Sequence, residues 1–295
     1  MYLRNESRKL IPILSEWECS PFNNVRISDM GDIDVFALNY GQQLDHIGSY
    51  LTRAADAGNL LLTFGGEHSL GHGVQDALQI IIDKYYDGTP VGGIIFDGHT
   101  DLMPEGGMGD LTDEPRENAN FMFAAFAKGL VDPDRWVCAG IRENGGGALS
   151  GHEIARDLGI PVITPKMVQE KGGEYWGDFV HERVSGGPTI IECDLDGLDP
   201  VLSGGGFSTR DGFGLSWREY QAISRGLRGT DLVYASIVEY SPAHDPTMAT
   251  ATNATHLGFE YLCMLSETKL KLNGGEKKPT VWKNPMSNSA AYFQP

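Results

Sequence analysis

Apolar positions along this 295-residue chain switch repeatedly between two periods. Leu44, Ile47, Leu51 and Ala54 or Ala55 recur at helical spacing over residues 42–57, and Gly58 is placed to end that helix. A short apolar run over 60–64 predicts a buried strand. Helical spacing returns at Val74, Leu78, Ile81 and Tyr85, and a second apolar run over 91–96 predicts the next strand. The alternation continues with helices over 118–129, 149–158 and 167–184 and strands over 135–141, 162–164 and 189–195. Ser216-Trp217-Arg218-Glu219 has capping-box spacing ahead of a helix through 227, followed by a strand over 232–240 and a last helix over 247–272. Near the start, 27–35 reads as a strand. Such alternation predicts an α/β fold of three layers, α/β/α, with a mostly parallel central sheet and ligands bound beyond the carboxyl ends of its strands. No repeat of fixed period and no linker interrupts it, so the expectation is a single domain over 1–295, with a polar tail over 273–295.

Composition narrows the function. Hydrophobic residues at 41% suit a globular protein long enough to bury a core. The four cysteines, Cys19, Cys138, Cys193 and Cys263, form no CxxC pair, which argues against a disulfide framework or a zinc ribbon. No run approaches the roughly 18 apolar residues of a membrane span, and no apolar segment follows the first basic residues, so a cytoplasmic protein without a membrane partner is expected. A net charge of −17 excludes nucleic acid as the natural partner, because a phosphate backbone needs a basic face, and it is compatible with a cationic substrate.

The chemistry collects at the ends of predicted strands. Asp97, His99 and Asp101 stand at alternate positions directly after the apolar run that ends at Phe96, so extended backbone aims all three to one side. His68 follows the 60–64 strand in Gly65-Gly66-Glu67-His68-Ser69. Asp194 and Asp196 alternate in the same way at the end of the 189–195 strand, and Glu239 ends the 232–240 strand. Imidazole and carboxylate without thiolate is a ligand set for Mn²⁺, Zn²⁺ or Fe²⁺. Two histidines and four aspartates are too many ligands for one small ion, and two ions about 3.5–4 Å apart are the natural solution. Singly, each motif reads as a turn, since Asp, Gly and Pro favour turns. Four of them, each after an apolar strand, make that bland reading require several coincidences. His72, His152, His181, His244 and His256 lack such a setting and default to surface or satisfied core positions.

Gly65-Gly66-Glu67-His68-Ser69, Asp97-Gly98-His99-Thr100-Asp101, the segment 194–200 and the glutamate of Val238-Glu239 resemble, in order and spacing, the signature motifs of the ureohydrolase family of arginases and agmatinases. The similarity runs from about residue 27 to 260, and Gly140-Ile141-Arg142 looks like agmatinase-type framework. The resemblance implies an arginase-like fold and a binuclear manganese site, two Mn²⁺ per chain. His68 and Asp101 would hold one ion, His99 and Asp196 the other, and Asp97 and Asp194 would bridge them. It further implies that Asp101 orients the water-derived nucleophile and that Glu239 pairs with a substrate guanidinium, which is cleaved to urea and an amine. Trimers or hexamers are the homo-oligomers that the family suggests.

Two departures bear on the substrate. Asn118-Ala119-Asn120 stands where the family usually has a histidine thought to shuttle protons, and Arg142-Glu143-Asn144-Gly145 lacks the second aspartate that arginases use near the α-amino group of free arginine. Asn118, Asn120, Glu143 and Glu239 are therefore the candidate substrate-binding residues. A site without readers of the α-amino and α-carboxylate groups has no reason to select free arginine. The resemblance then points to peptide arginases, which convert arginine side chains of a precursor peptide to ornithine, with the glycine runs 145–147 and 204–206 as a wide rim. Agmatine or another small guanidino compound is the alternative. A zinc deacetylase, or a non-catalytic metal-binding protein, is the expectation if the centre holds one zinc or performs no hydrolysis.

Overall fold

A computed structural model describes residues 2–34, 39–104, 116, 118–142, 146–202 and 212–276, apart from the side chains of 146–150. Its elements in chain order are α1 (Tyr2–Ser7), α2 (Pro21–Asn24), α3 (Tyr40–Asp56), β1 (Leu61–Phe64), α4 (Leu70–Tyr86), β2 (Val91–Phe96) and α5 (Phe121–Ala127). They continue with β3 (Val131–Ala139), α6 (Gly146–Asp157), β4 (Val162–Ile163), α7 (Pro165–Lys171), α8 (Gly173–Val184), β5 (Pro188–Cys193), α9 (Trp217–Arg225), β6 (Asp231–Ile237) and α10 (Ala249–Leu272). The six strands form one sheet in the order β1-β6-β5-β2-β3-β4, and every neighbouring pair is parallel.

Side-chain alternation along each strand builds the two cores. Ile94, Phe96, Val137, Ala139, Ile191 and Cys193 pack with residues of α7, α8, α9 and α10 on one face. Ile95, Trp136, Cys138 and Ile190 pack with α3, α4, α5 and α6 on the other. This is the expected three-layer arrangement.

Three local expectations are corrected. Residues 27–34 are not a strand: Asp29 accepts from the Gly31 N–H at 2.9 Å, and Arg4 donates to Asp29 at 2.7 and 3.1 Å and to Asp32 at 2.6 Å, which satisfies this segment as a clipped loop. The helix expected over 167–184 is two, α7 and α8, because Gly172 at φ 87° turns the chain between them. The helix expected from 118 begins at Phe121, after a 3-10 turn over Asn118–Asn120. Glu143, the runs 203–211 and 277–295, and most of the expected rim lie outside the described residues.

Candidate metal centre

Sheet order explains why the four motifs meet. The strands that precede them, β1, β6, β5 and β2, are four consecutive neighbours, so their carboxyl ends form one edge. Backbone pairing continues past the strands and fixes their relative height: Asp97 N–H donates to Ala139 O at 3.0 Å, Asp194 N–H to Phe96 O at 2.8 Å, Val238 N–H to Cys193 O at 2.9 Å and Glu239 N–H to Gly66 O at 2.7 Å. Asp101 and Glu239 adopt left-handed backbone, φ 51° and 59°, an unusual cost for residues with a Cβ that clusters at functional sites.

His68, Asp97, Asp101, Asp194, Asp196 and Glu239 are all buried, and His99 is half-buried. His68 Nδ1 lies 3.3 Å from Asp97 Oδ2, 3.1 Å from Asp101 Oδ2 and 3.0 Å from Asp194 Oδ2. His99 Nδ1 lies 3.1 Å from Asp97 Oδ1 and 3.3 Å from Asp196 Oδ2. Two ligand groups result, His68 with Asp97 and Asp194, and Asp97 with His99 and Asp196, and they share Asp97. Asp194 is oriented by its own loop: its Oδ1 accepts from Asp196 N–H at 2.7 Å, leaving Oδ2 toward His68. Asp196 Oδ1 accepts from Gly98 N–H at 2.8 Å, and Arg142 donates to the carbonyls of Asp196 and Leu198 at 2.6 and 3.1 Å.

So many carboxylates in one dry place repel each other and attract protons. Burial first, then the neighbouring carboxylates, pushes the Asp194 carboxyl well above its ordinary range, and the same causes raise Asp196. For His68, burial opposes charge, but the surrounding Asp101, Asp194 and Asp97 outweigh it and hold the imidazole protonated well above its usual range. Burial likewise opposes charge on His99, and Asp196 and Asp97 win, pushing it up to about 12. Both nitrogens of His68, with Asp97 Oδ2 and Asp101 Oδ2, are buried and lack a hydrogen-bond partner. Orphaned atoms of this kind are rare in a folded protein, and a cation that accepts lone pairs from His68 Nδ1, Asp97 Oδ2 and Asp101 Oδ2 satisfies these three together. Donor set, separation and orphaned atoms all fit metal binding.

Glu239 stands beside this cluster. Its Oε1 accepts from His68 N–H at 2.9 Å, and with Gly66, Glu67, Tyr240, Ser241 and Pro242 it lines a cavity of about 270 Å³. Burial pushes its carboxyl up to about 7. Asn118 and Asn120 are used differently: Asn118 Oδ1 accepts from Ala119 N–H at 2.8 Å, and Asn120 is buried with its Oδ1 2.8 Å from His72 Nε2.

Two residues escaped the sequence reading. Glu192, hidden within an apolar strand, is fully buried with Oε2 3.9 Å from His68 Nε2, and Ser236 Oγ donates to it. A charged residue inside a fully buried strand was the available signal. His72, in the first turn of α4, had only its place four residues after His68 to mark it.

The family model described as Arginase matches residues 1–264. Among similar proteins, the guanidinopropionase of Pseudomonas aeruginosa is 32% identical over 268 residues, covering 90% of this chain and 80% of the relative. The mitochondrial agmatinase of Gallus gallus is 29% identical over 250 residues, covering 85% of this chain and 70% of the relative. Among solved structures, proclavaminate amidino hydrolase from Streptomyces clavuligerus superposes with a TM-score of 0.78 at 25% identity, covering 90% of this chain and 84% of that one.

Proposed function

Since this chain belongs to the arginase family and is an amidinohydrolase acting on the carbon–nitrogen bonds of linear amidines, we propose that it hydrolyses a small linear guanidino compound to urea and an amine at a centre of two Mn²⁺. The observation that carries this reading is Glu239, a buried carboxylate tied to the backbone of His68 and facing a cavity beside the ligand cluster. A guanidinium is a planar fork that pairs with such a carboxylate, and the tie to His68 fixes its distance from the reacting centre.

His68, Asp97, Asp101 and Asp194 would hold one ion, and Asp97, His99, Asp194 and Asp196 the other. Such a pair of cations supplies nucleophilic water near neutral pH and shields its developing charge. Asp101, whose Oδ2 faces His68 Nδ1 at 3.1 Å, would orient that water with its carboxylate. Glu239 presents the guanidinium carbon to it. Oxygen bonds to that carbon, the bond to the substituted nitrogen breaks, and the protons of water leave with the amine. No histidine occupies the Asn118 position to deliver the second of them, which leaves water or another side chain as its donor.

The relatives' names favour small substrates: guanidinopropionate, guanidinobutyrate and agmatine. The arginine side chain of a precursor peptide stands second, on the missing readers of the α-amino and α-carboxylate groups. Urea release by the manganese-loaded protein separates them, measured on guanidinopropionate, guanidinobutyrate, agmatine, free arginine and an arginine peptide blocked at both ends. Turnover of a small compound at least about tenfold above the peptide is expected. Turnover of the peptide alone would reverse the order, and no urea from any of them would overturn the hydrolase reading.

A further inference from the structure

The segment that carries Asp101 is held from one side by a single turn of chain. Asp101 O accepts from Phe123 N–H at 3.4 Å, and two residues on, Met103 N–H donates to Ala119 O at 3.0 Å. The left-handed backbone of Asp101 is therefore bracketed by residues 119–123. That turn is in its own right fastened to α4. His72 Nε2 lies 2.8 Å from Asn120 Oδ1, and Gln75 Nε2 donates to Phe121 O at 2.9 Å, with Gln75 and Asn120 both buried.

The same helix begins at Leu70, after Ser69, and Phe121 closes the loop between them: its ring centroid lies 4.5 Å from that of the His68 imidazole. Gly71 makes the approach possible, because a Cβ there would fall 2.2 Å from the Phe121 ring. His68, just ahead of α4, is thus followed by Gly71, His72 and Gln75 in the first turns of that helix, a ligand followed by a seat and two tethers for the turn that sets the other ligand, Asp101.

We propose that His72 and Gln75 are positioning residues that hold the Asp101 carboxylate against His68 through the Asn120–Phe121 turn. The inference rests on reading the cluster as a metal centre. It assigns a role to a histidine and a glutamine outside the signature motifs and explains why residue 120 is a buried asparagine: its carboxamide is a strut to α4, pointed at His72. Outer-shell partners of this kind are commonly worth about 10–100-fold in metal affinity or activity.

The test is Mn²⁺ affinity by chelator competition, with kcat, KM and metal-free Tm, in the full chain and in His72→Ala, Gln75→Met and His72→Gln. The expected result is about tenfold weaker affinity for manganese in the first two, with kcat reduced and KM within about twofold. His72→Gln, which keeps a hydrogen-bonding group toward Asn120, should recover most of both. Loss of metal-free Tm with affinity and kcat unchanged would reduce the tethers to packing and overturn the proposal. So would parental behaviour in Gln75→Met, which carries the same reading should His72→Ala fail to fold. A parent chain that binds no manganese would overturn the metal reading and this proposal together, whereas tight binding in the parent and in both variants would overturn this proposal alone.

Discussion

The carboxylate of Asp97 lies between two imidazoles, with Oδ2 3.3 Å from His68 Nδ1 and Oδ1 3.1 Å from His99 Nδ1. One oxygen faces each half of the cluster, which makes Asp97 the side chain common to both ligand groups. Replacing it by alanine removes a ligand from two ions at once. Asp97→Ala should lose both manganese ions on dialysis, and urea release should fall by more than the ~10²-fold upper range of outer-shell changes. Asp194→Ala should behave similarly, because Asp194 Oδ2 faces His68 and its other oxygen holds Asp196. Metal content by mass spectrometry decides the matter: two ions per chain retained in Asp97→Ala would remove it from the bridge.

Glu239 is separable from the metals. Its Oε1 accepts from His68 N–H at 2.9 Å, a bond that a glutamine oxygen keeps. Glu239→Gln deletes the charge that a guanidinium needs and leaves the backbone tie. Hydrogen bonds to charged groups contribute about 1.5–3 kcal/mol, so kcat/KM should fall about 10–100-fold while metal stoichiometry stays the same. Steady-state kinetics on the preferred guanidino compound checks this, and unchanged kcat/KM would take Glu239 out of the substrate site.

Much of this site was legible before any coordinates because its signal is local. Asp97, His99 and Asp101 directly follow β2, whose apolar run is unmistakable, and Asp194 and Asp196 do the same after β5. What the chain does not state is which strands become neighbours. The order β1-β6-β5-β2, which joins His68, Glu239, Asp194 and Asp97 on one edge, is set by crossovers. Partners made across long separations were equally hidden. His72 meets Asn120 across 48 positions, a pairing that no local periodicity reports. The loop at 27–34 misled for a related reason: Arg4, 25 residues earlier, supplies the charge that holds Asp29.

Proton competition gives the centre a pH dependence of definite sign. In the metal-free cluster the carboxylates hold His68 well above its usual range and His99 up to about 12, so near neutrality both imidazoles carry protons. Binding a cation at Nδ1 requires the neutral ring, so loading releases protons, and affinity must rise with pH. Calorimetry of Mn²⁺ binding in buffers of different ionisation enthalpy should report net proton release, with apparent affinity increasing from pH 6 to 8. Uptake of protons, or affinity falling with pH, would contradict the ligand assignment. Glu239 adds a second limb: burial raises it to about 7 and it pairs with a guanidinium only as the anion, so substrate binding weakens as pH falls through that value, and bound cations move the limb lower.

Behind His68 stands Glu192, its Oε2 3.9 Å from Nε2 and hydrogen-bonded by Ser236. A cation on Nδ1 leaves the ring proton on Nε2, facing the Glu192 carboxylate at a distance of charge attraction and not of a hydrogen bond, and that attraction favours this ring orientation. Burial pushes the Glu192 carboxyl up to about 7 even though the positive His68 imidazole and the Ser236 hydroxyl favour its charged form, and a bound ion would favour that form further. Glu192→Gln keeps volume and the Ser236 hydroxyl contact but cannot carry the charge. Manganese affinity should drop about tenfold, with a smaller change in metal-free Tm, whereas Glu192→Leu should lose affinity and also strand the Ser236 hydroxyl, at a cost of about 1–3 kcal/mol in stability. Chelator competition and thermal unfolding on the two variants distinguish an orienting carboxylate from a packing residue. Glu192→Gln with parental affinity would mean that His68 is oriented by its loop and by Phe121 alone.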